Sequence, residues 1–171
     1  PAVITHQIDV AISGFTITPE RAKIVNFTEP YYDAGLGALI DNKYKDQIKS
    51  LADLEGQTIC AQIGTSGAMF AQKIKGAQVT QFNTAAESFM ELNKGSCAAA
   101  VNDKPVLEYY LATTKNPNLS LLSDRFTFEQ YGIVTAKDNE ELTEKISEGL
   151  KTIKANGTYD KIYQKWFGKQ E

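Results

Sequence analysis

Three short stretches of the sequence carry groups that could hold a small charged molecule. Arg21 follows the turn Ser13-Gly14-Phe15-Thr16, and its guanidinium is a planar fork suited to a carboxylate held by two parallel hydrogen bonds. Gln62 is followed by Gly64-Thr65-Ser66-Gly67, a turn that opens a helix and leaves backbone N–H groups for an anion. Asn102 precedes Asp103, a fixed negative charge. An anion pocket beside one carboxylate suits a small zwitterion, its α-carboxylate on Arg21 and the helix start and its α-ammonium on Asp103. The hydroxyls of Thr16 and Thr65 would add neutral hydrogen bonds. Taken singly, each feature is ordinary. An arginine on a short helix is commonly a surface ion-pair partner, many strand-to-helix turns read Gly-Thr-Ser-Gly, and an aspartate before a helix is most often its cap. The turn also lacks the Gly-Lys-Ser/Thr ending of a phosphate loop. The joint pattern is more specific than any part.

Each stretch lies just past the carboxyl end of a predicted strand, the edge at which open α/β sheets bind ligands. Apolar periodicity predicts strands over 8–12, 36–40, 58–61, 79–82, 97–101, 119–122 and 128–135. Between them it predicts a short helix opened by Thr18-Pro19-Glu20, one turn over 50–56, and helices over 67–75, 84–95, 103–113, 139–155 and 158–167. Thr84 with Glu87 forms a capping box, and Asn156-Gly157 stops the helix before the last one. The alternation gives an α/β class, and residues 57–101 form a complete β-α-β-α-β unit with its own small sheet. Tyr159, Ile162, Tyr163, Trp166 and Phe167 recur at helical spacing and read as a packed face; Tyr31-Tyr32 and Tyr109-Tyr110 read as packing too. The charges from 138 to 154 read as a solvated helix face.

Composition excludes several functions. The chain has 171 residues, 42% apolar, 23% charged and 10% aromatic, enough to fill a real core rather than to remain disordered. Eighteen Lys and Arg against 21 Asp and Glu leave −3, without the basic excess of a nucleic-acid binder. No run approaches the ~18 apolar residues that span a bilayer, and no secretion signal opens the chain. His6 is the only histidine and reads as a surface residue at a helix end. Cys60 and Cys97 stand 37 positions apart, so no metal cluster and no nucleophilic triad is expected. No cofactor is implied. The opening at Pro1, without methionine, is expected of a piece of a mature protein.

The run from Ile8 to Arg21, with Val25-Asn26-Phe27-Thr28-Glu29-Pro30-Tyr31-Tyr32, strongly resembles the extracellular amino-acid-binding proteins of ABC importers. So do Leu51-Ala52-Asp53-Leu54-Glu55-Gly56, the stretch Gln62-Ile63-Gly64-Thr65-Ser66, Val101-Asn102-Asp103-Lys104-Pro105-Val106, and the ending from Asn156 to Gly168. This resemblance implies a two-lobed periplasmic-binding-protein-like clamp with parallel-rich sheets: lobe 1 from 1–34 and 127–171, lobe 2 from 35–126. The hinge would lie in crossing strands near 32–39 and 128–135. It also implies roles. Gly14, Thr16 and Arg21 would hold the ligand α-carboxylate from lobe 1, Thr65 and Ser66 would add lobe-2 hydrogen bonds to it, and Asp103 would take the α-ammonium. Gln62 and Asn102 would face the ligand side chain. Their neutral amides suit glutamine first and a basic amino acid second.

The function so implied is capture of a polar L-amino acid and delivery to a membrane permease, in the periplasm or outside the cell, with room for a membrane anchor beyond these residues. A ligand-sensing receptor or channel domain and, less favoured, an enzyme on the same scaffold are the alternatives; Asp103 is the one acid placed for catalysis. As neighbours on strands flanking the β-α-β-α-β unit, Cys60 and Cys97 are expected to form a disulfide, with two separate thiols as the alternative. Family members open with a strand, a helix and a second strand that have no counterpart here, so lobe 1 is expected to be incomplete. The chain alone would then bind ligand poorly and could self-associate through its lobe-1 remnant.

Overall fold

In chain order, the computed structural model, which describes residues 1–167, runs β1 (Val10–Ala11), α1 (Pro19–Ala22), β2 (Val25–Phe27), β3 (Tyr32–Ala34), β4 (Leu36–Asp41), β5 (Thr58–Gln62), α2 (Ser66–Ala71), β6 (Gln78–Phe82), α3 (Ala85–Lys94), β7 (Ala99–Asp103), α4 (Lys104–Thr114), β8 (Leu119–Leu121), β9 (Glu129–Tyr131), β10 (Val134–Ala136), α5 (Glu140–Ala155) and α6 (Thr158–Phe167). Short 3-10 turns fill Asn42–Tyr44 and Leu51–Leu54. The chain packs as two units, one from Pro1–Asp33 with 130–171 and the other from Ala34–Glu129. Both passages between them fall inside a two-stranded ladder of β3 and β9.

The second unit is built on a five-stranded sheet of order β6-β5-β7-β4-β8. The β5-α2-β6-α3-β7 segment supplies the parallel half, β5 pairing in parallel with β6 and with β7, as residues 57–101 imply. β4 runs antiparallel to β7 and β8, so the sheet is mixed rather than parallel throughout. Successive residues of a strand face opposite sides, and the core follows that rule. Ala38, Ile40, Ile59, Ala99 and Val101 face one layer with Leu54 and Ala71; Leu39, Cys60 and Ala100 face the other with Phe89, Leu92 and Leu107. Helices on both faces make the central strands continuous apolar runs. The disulfide Cys60–Cys97 is present, its Cα atoms 5.9 Å apart. The Thr84–Glu87 capping box forms at the start of α3, with Gly95 as a left-handed stop.

The first unit departs further from the strand periodicity. Its sheet, β1-β10-β2, is antiparallel throughout, with Val10 opposite Thr135 and Val134 opposite Phe27. The strand expected over 8–12 is reduced to Val10–Ala11 at the sheet edge, and Ile8 and Ile12 are 45% and 65% exposed. The strand expected over 128–135 is broken into β9 and β10 at Gly132, where a Cβ would lie 2.9 Å from the Phe27 ring and 3.0 Å from Ile17. Sequence periodicity misses β2, whose Val25 joins Val3, Val134 and Ala136 in the core of this unit. His6 sits in a turn rather than at a helix end, paired through Nε2 with Asp138 at 3.4 Å.

The aromatic face of α6 is packed on one side only. Tyr163 stacks on Tyr32 with ring centres 6.0 Å apart, Tyr32 stacks on Tyr131 at 5.6 Å, and the Tyr159 hydroxyl donates to the Tyr31 carbonyl. Ile162 and Trp166, expected within that face, are 50% and 68% exposed, because the tyrosine cluster reaches only the Tyr159–Tyr163 side. Likewise Tyr110 packs against Phe89 while the neighbouring Tyr109 is exposed. The side chain of Phe167 and residues Gly168–Glu171 lie outside the described residues.

Candidate functional site

In the first unit the candidates Gly14 and Thr16 lie on the loop from β1 to α1, and Arg21 lies on α1 itself. Thr18 caps α1, its Oγ1 accepting from the Arg21 N–H at 3.2 Å, and Pro19 takes the first helical position, where no N–H is needed. Arg21 Nη1 donates to the Thr16 carbonyl at 2.9 Å, which orients the guanidinium by the backbone of the loop preceding its helix. Thr16 is 3% exposed and bridges Tyr131 in antiparallel fashion. The loop is pinned again where the Tyr31 hydroxyl donates to the Ser13 carbonyl at 2.6 Å. Burial, then the neighbouring Tyr159, pushes the Tyr31 phenol above its ordinary pKa and keeps it a donor. Gly14 lies exposed at the turn.

In the second unit the remaining candidates gather at one edge of the sheet. β5 and β7 are parallel neighbours, with Ala61 opposite Val101, so Gln62 and Asn102-Asp103 end side by side. Gly64 takes the left-handed φ of +74° that lets the chain turn into α2. A Cβ on Gly67 would stand 3.2 Å from the Val101 carbonyl and 3.5 Å from Asn102 Cα, so the first turn of α2 rests on the end of β7.

The hydroxyls here already have partners. Thr65 Oγ1 accepts from the Ala68 N–H at 3.1 Å and donates to the Gln62 carbonyl at 2.7 Å. Gln62 Nε2 donates to the Asn83 carbonyl at 3.2 Å, and the buried Asn102 accepts through Oδ1 from the Asp103 N–H at 2.7 Å. Asp103 occupies the N-cap position of α4 without a side-chain cap hydrogen bond, so capping does not account for it. Ser66 Oγ donates to Glu129 Oε2 at 2.9 Å.

Glu129 is the polar group of this edge that sequence reasoning missed. Thr127 Oγ1 donates to its other oxygen at 3.1 Å and accepts from the Leu36 N–H at 3.0 Å, and Leu36 is the register partner of Asp103. The available signal was an acid inside a strand candidate, which demands a partner. Among the described residues, no group of three or more His, Cys, Asp or Glu side chains could hold a metal ion, and no helix is long and apolar enough to cross a membrane.

Known proteins resemble this chain in sequence and fold. The arginine-binding protein 1 of an ABC transporter of Escherichia coli (strain K12) is 35% identical over 98% of the chain and 69% of that protein. The ABC transporter glutamine-binding protein GlnH of Bacillus subtilis (strain 168) is 36% identical over 97% of the chain but only 60% of the relative, so the chain spans well under the relative's full length. Among solved structures, an ancestral arginine-binding protein bound to glutamine superposes with a TM-score of 0.92 at 41% identity, over 99% of this chain and 75% of that one. An ancestral amino-acid-binding protein described as a precursor of cyclohexadienyl dehydratase superposes at 0.89 with 37% identity, over 98% of this chain and 72% of that one. Residues 1–169 match the family model, and the chain belongs to the bacterial extracellular solute-binding proteins, family 3.

Proposed function

We propose that the two units close on a polar L-amino acid, which the protein then hands to the permease of an ABC importer outside the cytoplasm. The observation that carries this reading is the division of labour between the units. One orients a guanidinium fork on α1 through the buried Thr16; the other gathers a carboxylate, two amides and two hydroxyls at the carboxyl edge of two parallel strands. In this reading Arg21, with Gly14 and Thr16, takes the ligand α-carboxylate and Asp103 takes the α-ammonium. Thr65 and Ser66 complete the carboxylate contacts by turning their hydroxyls from the partners they hold in this structure. Capture of this kind needs no bond made or broken, so the protein acts as a binder and not as an enzyme.

Side-chain choice falls to Gln62 and Asn102. Their hydrogen bonds leave the Gln62 oxygen and the Asn102 amide nitrogen facing no partner among the described residues. One acceptor and one donor match the NH2 and C=O of a glutamine side chain; a basic side chain would use the acceptor alone. Isothermal titration of the protein at its full natural length against the twenty amino acids tests the reading. Saturable binding of glutamine or a basic amino acid supports it, and absence of heat with all twenty refutes it.

A further inference from the structure

Ser13-Gly14 is an exposed stretch between two anchored segments of the first unit. β1 ends before it at Ala11. After it the chain runs against residues 130–132: the Ile17 N–H donates to the Gln130 carbonyl at 2.9 Å, the Gly132 N–H donates to the Phe15 carbonyl at 3.1 Å, and Thr16 bridges Tyr131. Among the described residues, the group that reaches the Ser13-Gly14 peptide from outside the loop is the Tyr31 hydroxyl, which donates to the Ser13 carbonyl at 2.6 Å. The Phe15 N–H donates to the same oxygen at 2.7 Å. Tyr31 is itself tied down: its N–H donates to the Tyr131 carbonyl at 2.9 Å, and its carbonyl accepts from the Tyr159 hydroxyl on α6. The Ser13 carbonyl and the Gly14 N–H belong to one planar trans peptide, so they point in opposite directions. Holding the oxygen therefore fixes where the N–H points, and that N–H meets no acceptor among the described residues.

We propose that Tyr31 is a positioning residue for the amino-acid site: its hydroxyl, by holding the Ser13 carbonyl, aims the Gly14 N–H at the ligand α-carboxylate. This rests on the amino-acid-binding reading above and names what orients one donor in it. Tyr31 acts through the loop rather than on the ligand. An exposed peptide left untethered would have to be ordered as the ligand arrives, and that ordering is subtracted from the affinity. A hydrogen bond also weakens steeply as its angle closes, so an N–H pointing the right way beforehand makes the stronger bond to an anion. The phenol suits this task because it stays a donor at neutral pH, and burial, then Tyr159, pushes Tyr31 above its ordinary pKa. Through Tyr159 the same tether joins α6 to the ligand loop.

Isothermal titration with L-glutamine, on the protein at its full natural length, compares wild type with Tyr31→Phe and with Tyr109→Phe, a change at an exposed tyrosine of α4. Tyr31→Phe keeps the ring beside Tyr131 and removes the hydroxyl alone. It is expected to weaken binding by about fivefold, and Tyr109→Phe to leave it within about twofold. Affinity would also fall if the loop merely loosened, so the Gly14 amide is followed by proton–nitrogen NMR at saturating glutamine. Its proton is expected to move downfield on binding in wild type, and in Tyr31→Phe that displacement is expected to shrink by about half although the site is equally full. An unchanged displacement in Tyr31→Phe, an affinity within about twofold of wild type, or an equal loss in Tyr109→Phe overturns the proposal. Should Tyr31→Phe fail to fold, Tyr159→Phe, which releases the Tyr31 carbonyl, decides by the same signal: a smaller displacement at Gly14 supports the proposal and an unchanged one overturns it. Where glutamine gives no heat, whichever of the twenty amino acids does titrate replaces it in every arm. A wild type that binds none of them removes the binding reading itself, a result distinct from binding that ignores Tyr31.

Discussion

Reducing the Cys60–Cys97 disulfide is expected to loosen the sheet of the second unit by an amount its loop length sets. The bridge closes 37 residues of chain between the middle of β5 and the approach to β7. With that loop length the chain-entropy relation gives about 13 cal/mol/K, or about 3.8 kcal/mol at 25 °C. Both cysteines are almost fully buried, 1% and 2% exposed, among Leu39, Phe89, Leu92 and Leu107, so replacing them by alanine adds a packing loss of about 1–2 kcal/mol. Reduction leaves the sulfur atoms in place and isolates the loop effect. Fluorescence is the wrong probe, because Trp166, the single tryptophan, sits on α6 in the other unit. Amide exchange of β5 and β7 reports the right one, as the free energy at which those strands open. Oxidised and reduced protein should differ there by about 3–4 kcal/mol, with the Cys60→Ala/Cys97→Ala variant lower still. A difference under about 1 kcal/mol would show that the reduced chain retains the closed loop by other means.

Acid should weaken the protein through two carboxylates held below their usual range: Asp53 by the Lys49 backbone N–H and then the Ser50 hydroxyl, Glu91 by Lys94 and then Ser96. A lowered folded pKa gives stability that is present above the unfolded value of about 4 and is lost as pH falls through the lowered one. Urea midpoints between about pH 7 and pH 3 should therefore drop, and Asp53→Asn should flatten the drop slightly, since both groups are exposed. Removing the α3 cap with Thr84→Ala should cost about 1 kcal/mol in the same urea assay, because the Thr84 hydroxyl and the Glu87 carboxylate satisfy each other's backbone N–H. Association is expected through the edge strand β1 and the exposed Ile8 and Ile12 that flank it. Light scattering should show mass rising with concentration and Ile12→Lys suppressing the rise; a chain monomeric throughout would refute this.

How far the fold could be read in advance depended on how local each cause was. The β5-α2-β6-α3-β7 unit was legible because each boundary carries its own chemistry: Gly64 at the turn into α2, Thr84 and Glu87 at the start of α3, Gly95 at its end. Strand direction in the first unit was not, since apolar alternation looks the same in an antiparallel strand as in a parallel one, and β1 contributes only Val10–Ala11. The break at Gly132 depends on Phe27 and Ile17, both more than a hundred residues earlier in the chain. At the candidate edge, Gln62, Asn102 and Asp103 were readable as polar residues at the carboxyl ends of strands, and Arg21 as a fork after a turn. Glu129 was not, because what marks it is a hydrogen bond to Ser66, 63 residues away. The exposed side of α6 escaped for a related reason: helical spacing shows which residues share a face, not whether that face is covered.

The central claim, that Arg21 and Asp103 hold the two ends of an amino acid, is tested most directly by titrating the preferred ligand into the protein at its full natural length and into three variants. Arg21→Lys keeps the charge but loses the two-pronged geometry, and should cost about 1.5–3 kcal/mol of binding. Arg21→Ala should cost more, and Asp103→Asn should weaken binding strongly by leaving the α-ammonium without its counter-charge. Either Arg21→Ala or Asp103→Asn binding the ligand within about twofold of wild type would contradict the claim.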